Sequence, residues 1–243
     1  MQITHRLLNG EAVDIDVPAA TGLPRGTSIA VLALEGAGQM EVTGGRDGDL
    51  AFYLEVTGTT LDREVTLRDG RTLRHGRFAG DPAQGIGWAI PLEGHHLYGF
   101  TLPGVDIETL TGHLADVDLQ VDPLGPVLTP TGRASWSLYR TQTVAQVVEL
   151  DGAPLGPDGG GGRGFLLDVR RARTGQAPTA RTGSGLRVKG GLLTRSGDDE
   201  RHRYGVLEST DFVSYGLPGS DDAIDAVLTA MGELTVTLVG GAT

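Results

Sequence analysis

The chain of 243 residues lacks cysteine altogether, which excludes disulfide bonds, thiolate metal sites and a cysteine nucleophile. It also lacks a long apolar run, since no stretch approaches the roughly 20 residues that a membrane-spanning helix needs. The N-terminal residues have no signal-peptide pattern. These absences predict a cytoplasmic protein that does not contact a membrane.

Lysine and aromatic residues are scarce. Lys189 is the only lysine, and it lacks the surroundings that would mark a Schiff-base lysine. Aromatic residues make up 5% of the chain. We expect these side chains, Trp88 and Tyr98 among them, in the core or at an interface rather than around a pocket.

Catalytic and metal-binding patterns are absent as well. The six histidines form no ligand spacing, and His202 with its acidic neighbours at 198–200 is read as a solvated turn. The glycine-rich residues 156–164 lack the GK[ST] sequence of a phosphate-binding loop, so we read them as a loop tip. The sequence therefore favours a non-catalytic protein without excluding an enzyme. We expect no metal and no cofactor, and the sequence identifies no catalytic or ligand-binding residue.

Charge is distributed unevenly along the chain. The net charge of −11 argues against a general nucleic-acid binder. Residues 1–126 carry 18 acidic and 8 basic residues, whereas residues 127–243 carry 13 acidic and 12 basic residues. Ten of those 12 basic residues lie within residues 163–203. Such asymmetry favours an anionic partner or contact between copies of the chain.

One stretch occurs twice, which indicates an internal duplication. Residues 98–121 and residues 215–239 both read as a strand end, a Leu-Pro-Gly turn, an amphipathic helix and an alternating strand. The first helix is predicted at residues 105–115, with Asp106 as its N-cap. The second is predicted at residues 221–231, with Ser220 as its N-cap and a left-handed Gly232 at its end. Ile224, Val227, Leu228 and Met231 of the second helix have i, i+3, i+4 and i+7 spacing, and Ile107, Leu110 and Leu114 of the first helix share one face.

Two hairpins are predicted before the first helix. Asn9-Gly10 indicates a two-residue turn between strands within residues 2–17. Residues 63–78 form the other hairpin, and a three-residue loop at 68–70 pairs Val65 with Leu73, which keeps the apolar residues on one face.

Other strands are predicted in both halves from apolar runs and alternation. In the first half they cover residues 28–34, 39–43, 50–57, 86–92 and 95–102, and in the second half residues 134–140, 164–169, 186–194, 203–207 and 211–216. Within the duplication, residues 134–140 are matched to 28–34, and residues 164–169 to 51–56.

The predicted fold is α+β and predominantly antiparallel β. It consists of two similar sandwich-like or barrel-like halves, residues 1–126 and 127–243, each with one amphipathic helix followed by a strand. Doubled β domains that each carry one helix occur in tube and hub proteins of phage tails and related injection machines. The likeness is one of architecture only.

Three functions remain open from the sequence. The first is a non-catalytic structural protein that assembles into a tube, hub or ring and therefore self-associates. The second is a small-molecule-binding protein, or a cyclase or isomerase, that uses a β-barrel cavity. The third is an adaptor that binds an anionic partner through basic residues of the second half, which are Arg170, Arg171, Arg173, Arg187 and Lys189.

Overall fold

The computed structural model describes residues 1–34, 38–77, 85–101, 103–130, 136–138, 142–150, 164–171, 185–197, 203–219 and 224–240. These residues form predominantly antiparallel sheets with three helices, as the α+β prediction expects. None of the helices in these ranges is long and apolar enough to cross a bilayer.

The elements follow one another along the chain in this order. The first part forms β1 (Gln2–Arg6), β2 (Ala12–Asp16), β3 (Gly26–Leu34), β4 (Gly38–Gly45), α1 (Asp47–Thr57), β5 (Arg63–Thr66), β6 (Thr72–Arg77), β7 (Ile86–Leu92), β8 (His95–Phe100), α2 (Ile107–Ala115), β9 (Val117–Asp122) and β10 (Gly125–Pro130). The second part forms β11 (Trp136–Leu138), β12 (Thr143–Glu149), β13 (Gly164–Arg171), β14 (Leu186–Val188), β15 (Gly191–Ser196), β16 (Tyr204–Glu208), β17 (Phe212–Pro218), α3 (Ile224–Glu233) and β18 (Thr235–Val239).

The chain divides into two compact units. The central unit comprises residues 6–10 and 27–142, and the terminal unit comprises residues 1–5, 11–26 and 143–243. The central sheet runs in the order β3-β4-β8-β7-β6-β5, with β11 paired to β3, and the terminal sheet runs in the order β12-β13-β17-β16-β15-β14. The strands β5 and β14 each have a single strand neighbour, so the predicted barrels are not closed within the described residues.

In each unit, a helix and a strand follow the six-strand path along the chain, after β8 in the central unit and after β17 in the terminal unit. In the central unit α2 leads into β9, which pairs with β10. In the terminal unit α3 leads into β18, which pairs with β2 in a small sheet of β1, β2 and β18. The helix-then-strand order predicted for both copies is confirmed.

The helix α2 begins at the predicted cap and covers one face of the central sheet. The backbone N–H of Thr109 donates to the Asp106 carboxylate at 2.8 Å, which satisfies one of the free donors of the first turn. Leu110 and Leu114 are buried in one cluster with core residues of the sheet, among them Trp88. The predicted apolar stripe is therefore core.

The helix α3 packs against β15, β16 and β17 of the terminal sheet. Gly205 and Gly216 lie directly opposite each other on β16 and β17, and a Cβ at Gly216 would lie 2.3 Å from the Met231 sulfur. The glycine pair thus makes room for Met231. The prediction for Gly232 was wrong, because this residue lies inside α3 without a left-handed φ and the helix ends at Glu233. The predicted cap Ser220 lies outside the described residues.

Residues 50–57 were predicted as a strand, and this was wrong because they belong to α1. The Arg46 backbone N–H donates to Asp49 at 2.8 Å, and the left-handed Gly58 closes the other end of the helix. These end signals outweigh the strand-like run of aromatic and branched residues. Residues 51–56 therefore do not match residues 164–169, which lie in the strand β13.

The hairpin predicted at residues 63–78 is confirmed over β5 and β6. Val65 pairs with Leu73, and the Leu67 N–H donates to the Arg71 carbonyl, which leaves a loop of three residues with Gly70 at a φ of 87°. The turn at Asn9-Gly10 lies one residue earlier than predicted, because the Gly10 N–H donates to the Leu7 carbonyl.

Two strand predictions in the second half need correction. Residues 186–194 do not form one strand, because Lys189 and Gly190 make a turn between β14 and β15. Of residues 134–140, the described β11 pairs with β3, so it is a neighbour of that strand and not its equivalent. The place that β3 has in the central sheet belongs to β12 in the terminal sheet, a strand the sequence patterns missed.

Candidate functional site

The predicted basic residues are distributed over both faces of the terminal sheet. Arg170 and Arg171 are consecutive on β13, so their side chains leave opposite faces of the sheet. Arg187 is an exposed residue of β14, and Lys189 lies in the exposed turn that follows it. Arg173 lies outside the described residues.

Arg170 is held by two neighbours on its own face. Its Nη2 donates to Asp168 Oδ2 at 2.6 Å, and its Nε donates to the same oxygen at 3.1 Å. Its guanidinium carbon lies 4.7 Å from the centroid of the Tyr215 ring, which is a cation–π distance. The hydrogen bonds to Asp168 raise the pKa of Arg170, so this side chain carries its charge at every working pH.

Arg171 is held in the same way on the other face. Its Nη1 lies 3.0 Å from Asp211 Oδ1, and its Nε lies 3.4 Å from Glu11 Oε2. Its guanidinium carbon also lies 5.4 Å from the centroid of the Phe212 ring. The two consecutive arginines therefore serve carboxylates of their own unit, and they do not form one patch for an external anion.

The terminal sheet has one face that we call the open face, namely the face opposite α3. Strand alternation and register assign its residues. They are Thr143, Ala145 and Val147 of β12, Leu166, Asp168 and Arg170 of β13, Val213, Tyr215 and Leu217 of β17, Tyr204, Val206 and Glu208 of β16, Leu192, Thr194 and Ser196 of β15, and Arg187 of β14. Arg170 and Arg187 are thus the two predicted basic residues that share this face.

Large apolar side chains lie exposed on the open face. Leu166 and Leu217 are directly opposite each other on β13 and β17, and they are 40% and 39% exposed. Beside them the rings of Tyr204 and Tyr215 have centroids 6.2 Å apart, and both residues are half-buried. The helix α3, which is the described helix of this unit, packs on the other face.

The strand β17 carries large side chains on both faces of the sheet. Its α3-facing positions are Phe212, Ser214 and Gly216, and Met231 fills the space above Gly216. Its open-face positions are Val213, Tyr215 and Leu217. A strand with apolar residues on both sides is typical of burial on both sides. Around β17, the open face therefore has the composition of a surface that another layer covers.

Sequence reasoning missed the apolar members of this face. The signal was present in β13, where Leu166 and Leu167 are consecutive, so one of them must lie on each face. The strand assignments for residues 164–169 and 211–216 were correct in type.

The described residues contain no group of three or more histidine, aspartate or glutamate side chains that could hold a metal ion. Trp88 and Tyr98, each 1% exposed, lie in the core of the central unit as expected. Comparison with protein-family models, with curated proteins and with solved structures finds no match to this chain.

Proposed function

We propose that this protein is a non-catalytic assembly component whose copies associate through the open face of the terminal unit. The observation that carries the proposal is the exposed pair Leu166–Leu217, which lies on two inner strands of the sheet beside two tyrosines. Scattered exposed leucines are ordinary, but a contiguous apolar patch rimmed by polar residues is typical of an association surface.

The central unit supports this interpretation by comparison. Tyr98 occupies the position in the central sheet that Tyr215 occupies in the terminal sheet, since each lies on the strand before the last helix and is followed by glycine. Tyr98 is 1% exposed, and the Tyr53 ring of α1 lies 4.8 Å from its ring. No described helix gives Tyr215 such a cover. We propose that a second copy of the chain provides it.

Charges on the open face fit a second copy as the occupant. The face carries both signs, and Arg170 and Asp168 neutralise each other within the chain. Arg187 and Glu208 remain on the same face, and a surface with one charge of each sign can meet itself in an isologous contact, in which the guanidinium of each copy faces a carboxylate of the other. A tube, hub or ring is the kind of assembly that we propose, by analogy of architecture.

The association is tested by light scattering on three proteins. Wild type is expected to contain more than one copy. The variant Leu166→Glu/Leu217→Glu is expected to be a folded monomer, because two carboxylates would be buried against the partner without a compensating charge. Val56→Glu is the matched control, since Val56 is 60% exposed on α1 of the other unit. A monomeric wild type, or equal masses for all three proteins, would overturn the proposal.

We also propose that the chain contains one duplicated module. Its copies were predicted as residues 1–126 and 127–243, and the elements that correspond are β3 to β9 without α1 in the first copy and β12 to β18 in the second. The six-strand orders support this, and so do the helices. Ile107, Leu110, Leu114 and Val117 have the same spacing as Ile224, Val227, Met231 and Leu234. An experimental structure tests the proposal: the two sheets with their last helices should superpose, and unlike strand orders would refute it.

A further inference from the structure

The central unit contains a cleft that the proposed function does not use. It has a volume of about 630 Å³ and lies at the end of the β5–β6–β7 strands, beside the start of α2. That volume is within the range of roughly 300–1,000 Å³ that small-molecule sites occupy. The cleft is formed by residues of one unit alone, so binding there is independent of association through the open face.

One side of the cleft is basic. Arg63 of β5 lies directly opposite His75 of β6, and Arg77 follows two residues later on the same face of β6. Burial and the charge of Arg63 lower the pKa of His75, while the nearby Asp62 acts in the opposite direction. At neutral pH the cleft therefore holds two guanidinium groups, the carboxylate of Asp62 and an uncharged imidazole.

The two arginines of the cleft are not held by an ion pair. Elsewhere in the described chain six arginines lie within 4 Å of a carboxylate, and these are Arg6, Arg71, Arg74, Arg170, Arg171 and Arg195. Among the described residues Arg63 and Arg77 have no such partner, a feature that they share with Arg68 and Arg187. Asp62 also lines the cleft, so its charged groups are two guanidiniums and one carboxylate, and the net positive charge favours an anion there.

The cleft also has apolar lining residues. Ile86 of β7 is the cross-strand neighbour of Arg77, and Val105 and Ile107 come from the entry to α2. The positive end of the α2 dipole is already matched by the Asp106 carboxylate, which caps the helix. The affinity for an anion therefore depends on the arginine side chains and not on the helix end.

We propose that this cleft binds a small organic anion whose carboxylate or phosphate group contacts Arg63, His75 and Arg77 and whose apolar body lies against Ile86, Val105 and Ile107. Charge-assisted hydrogen bonds from guanidinium to an oxyanion provide the orientation, and burial of the apolar body provides the remaining affinity. The ligand needs both an anionic group and an apolar body, because the cleft is lined by charged and by apolar residues.

Isothermal titration calorimetry with four probes tests whether the anionic group and the apolar body both contribute to binding. The probes are octanoate, octyl phosphate, 1-octanol and inorganic phosphate. At least one of the two amphipathic anions should bind at least about tenfold more tightly than both octanol and inorganic phosphate, the factor expected from one hydrogen bond to a charged group. The affinities of octanoate and octyl phosphate are then compared, and the tighter ligand identifies the preferred head group. Octanol binding as tightly as the anions, or no binding of either anion, would overturn the proposal.

Single substitutions locate the binding. Arg63→Gln and Arg77→Gln should each lower the affinity for the anion by about tenfold or more, since each removes a charged donor. Arg68→Gln is the matched control, because Arg68 is an exposed residue of the neighbouring turn and does not line the cleft. The substituted residues are exposed, so thermal melts should match wild type. Unchanged affinity in both cleft variants would refute the assignment.

A second readout is the NMR signal of the His75 ring. This signal is assigned by its disappearance from the spectrum of the His75→Gln variant. An oxyanion beside the ring favours the imidazolium, so saturating octanoate or octyl phosphate should raise the His75 pKa measured by NMR. The charged groups around the ring in the cleft are Arg63, Arg77 and Asp62. A His75 pKa that stays unchanged or falls when the anion binds would place the ligand elsewhere and overturn the proposal.

Discussion

The contact of Met231 with the glycine pair of β16 and β17 gives a quantitative test of how α3 docks. A Cβ at Gly216 would lie 2.3 Å from the Met231 sulfur and 2.7 Å from Val227 Cγ1, both far inside van der Waals contact. Gly216→Ala should therefore destabilise the fold by about 1–3 kcal/mol through overpacking. This cost exceeds the gain of about 0.5–1 kcal/mol that alanine brings to a strand position.

A double-mutant cycle separates this contact from general effects. Met231→Ala alone should cost about 2–5 kcal/mol through the cavity it leaves. In the double variant the alanine at 216 no longer meets the sulfur, so the combined loss should fall short of the sum by about 0.5–3 kcal/mol. Urea unfolding followed by circular dichroism gives all three values.

Gly232→Ala provides the control in the same helix. The nearest atom to a Cβ at Gly232 is Val188 Cγ1 at 4.0 Å, so the methyl group fits. It should stabilise the protein by about 0.5–1 kcal/mol, because alanine is the better helix former. Wild-type stability for Gly216→Ala, or strict additivity with Met231→Ala, would refute the packing of α3 onto the glycine pair.

Two further predictions concern the central unit. Arg71 donates from Nη2 to the carbonyls of Leu114 and Val117, each at 3.1 Å. Arg71→Ala should therefore lower the free energy of unfolding by about 1.5–3 kcal/mol. A loss under about 0.5 kcal/mol in urea unfolding would contradict this role. Burial raises the pKa of Tyr53 and Tyr98 above the ordinary value of 10.0. The folded state thus holds these protons more tightly than the unfolded state, and this stabilisation is present below pH 10 and lost as the pH rises above it. A titration at 295 nm should show late ionisation that accompanies unfolding and disappears in Tyr53→Phe/Tyr98→Phe, whereas titration near pH 10 without unfolding would contradict it.

Local signals predicted much of the fold. Asp106 identified the start of α2 because a cap forms within a few residues of its helix. The pairing of Val65 with Leu73 followed from keeping apolar residues on one face around Gly70. The strand β7 was also predicted with its correct bounds. In each case neighbours in sequence determine the structure.

Two predictions failed where one local signal was given more weight than the others. The run that forms α1 has strand-like residues, but the adjacent caps and the distant packing of Tyr53 against Tyr98 favour a helix. The spacing of Gly232 suggested a helix end, but α3 continues to Glu233 and β18 begins only two residues later, at Thr235. Propensity is a weak guide when tertiary contacts oppose it.

At the candidate site the deciding contacts join residues that are distant in the chain. Charge counting singled out Arg170 and Arg171, yet it could not reveal that Asp168, Asp211 and Glu11 pair with them. Nor could it reveal a cleft, because Arg63 and Ile107 are brought together only by the order of the strands.

The central claim, that the open face is an interface between copies, can be measured at a single atom because the chain contains no other thiol. Leu217→Cys places a cysteine on the open face, and Val56→Cys places one on the exposed side of α1. We predict that a maleimide reacts with Cys at 217 several-fold faster when Leu166→Glu is also present, although the added carboxylate by itself would slow the thiol. The cysteine at 56 should react at one rate in both backgrounds. Equal or slower reaction at 217 in the Leu166→Glu background would contradict the claim.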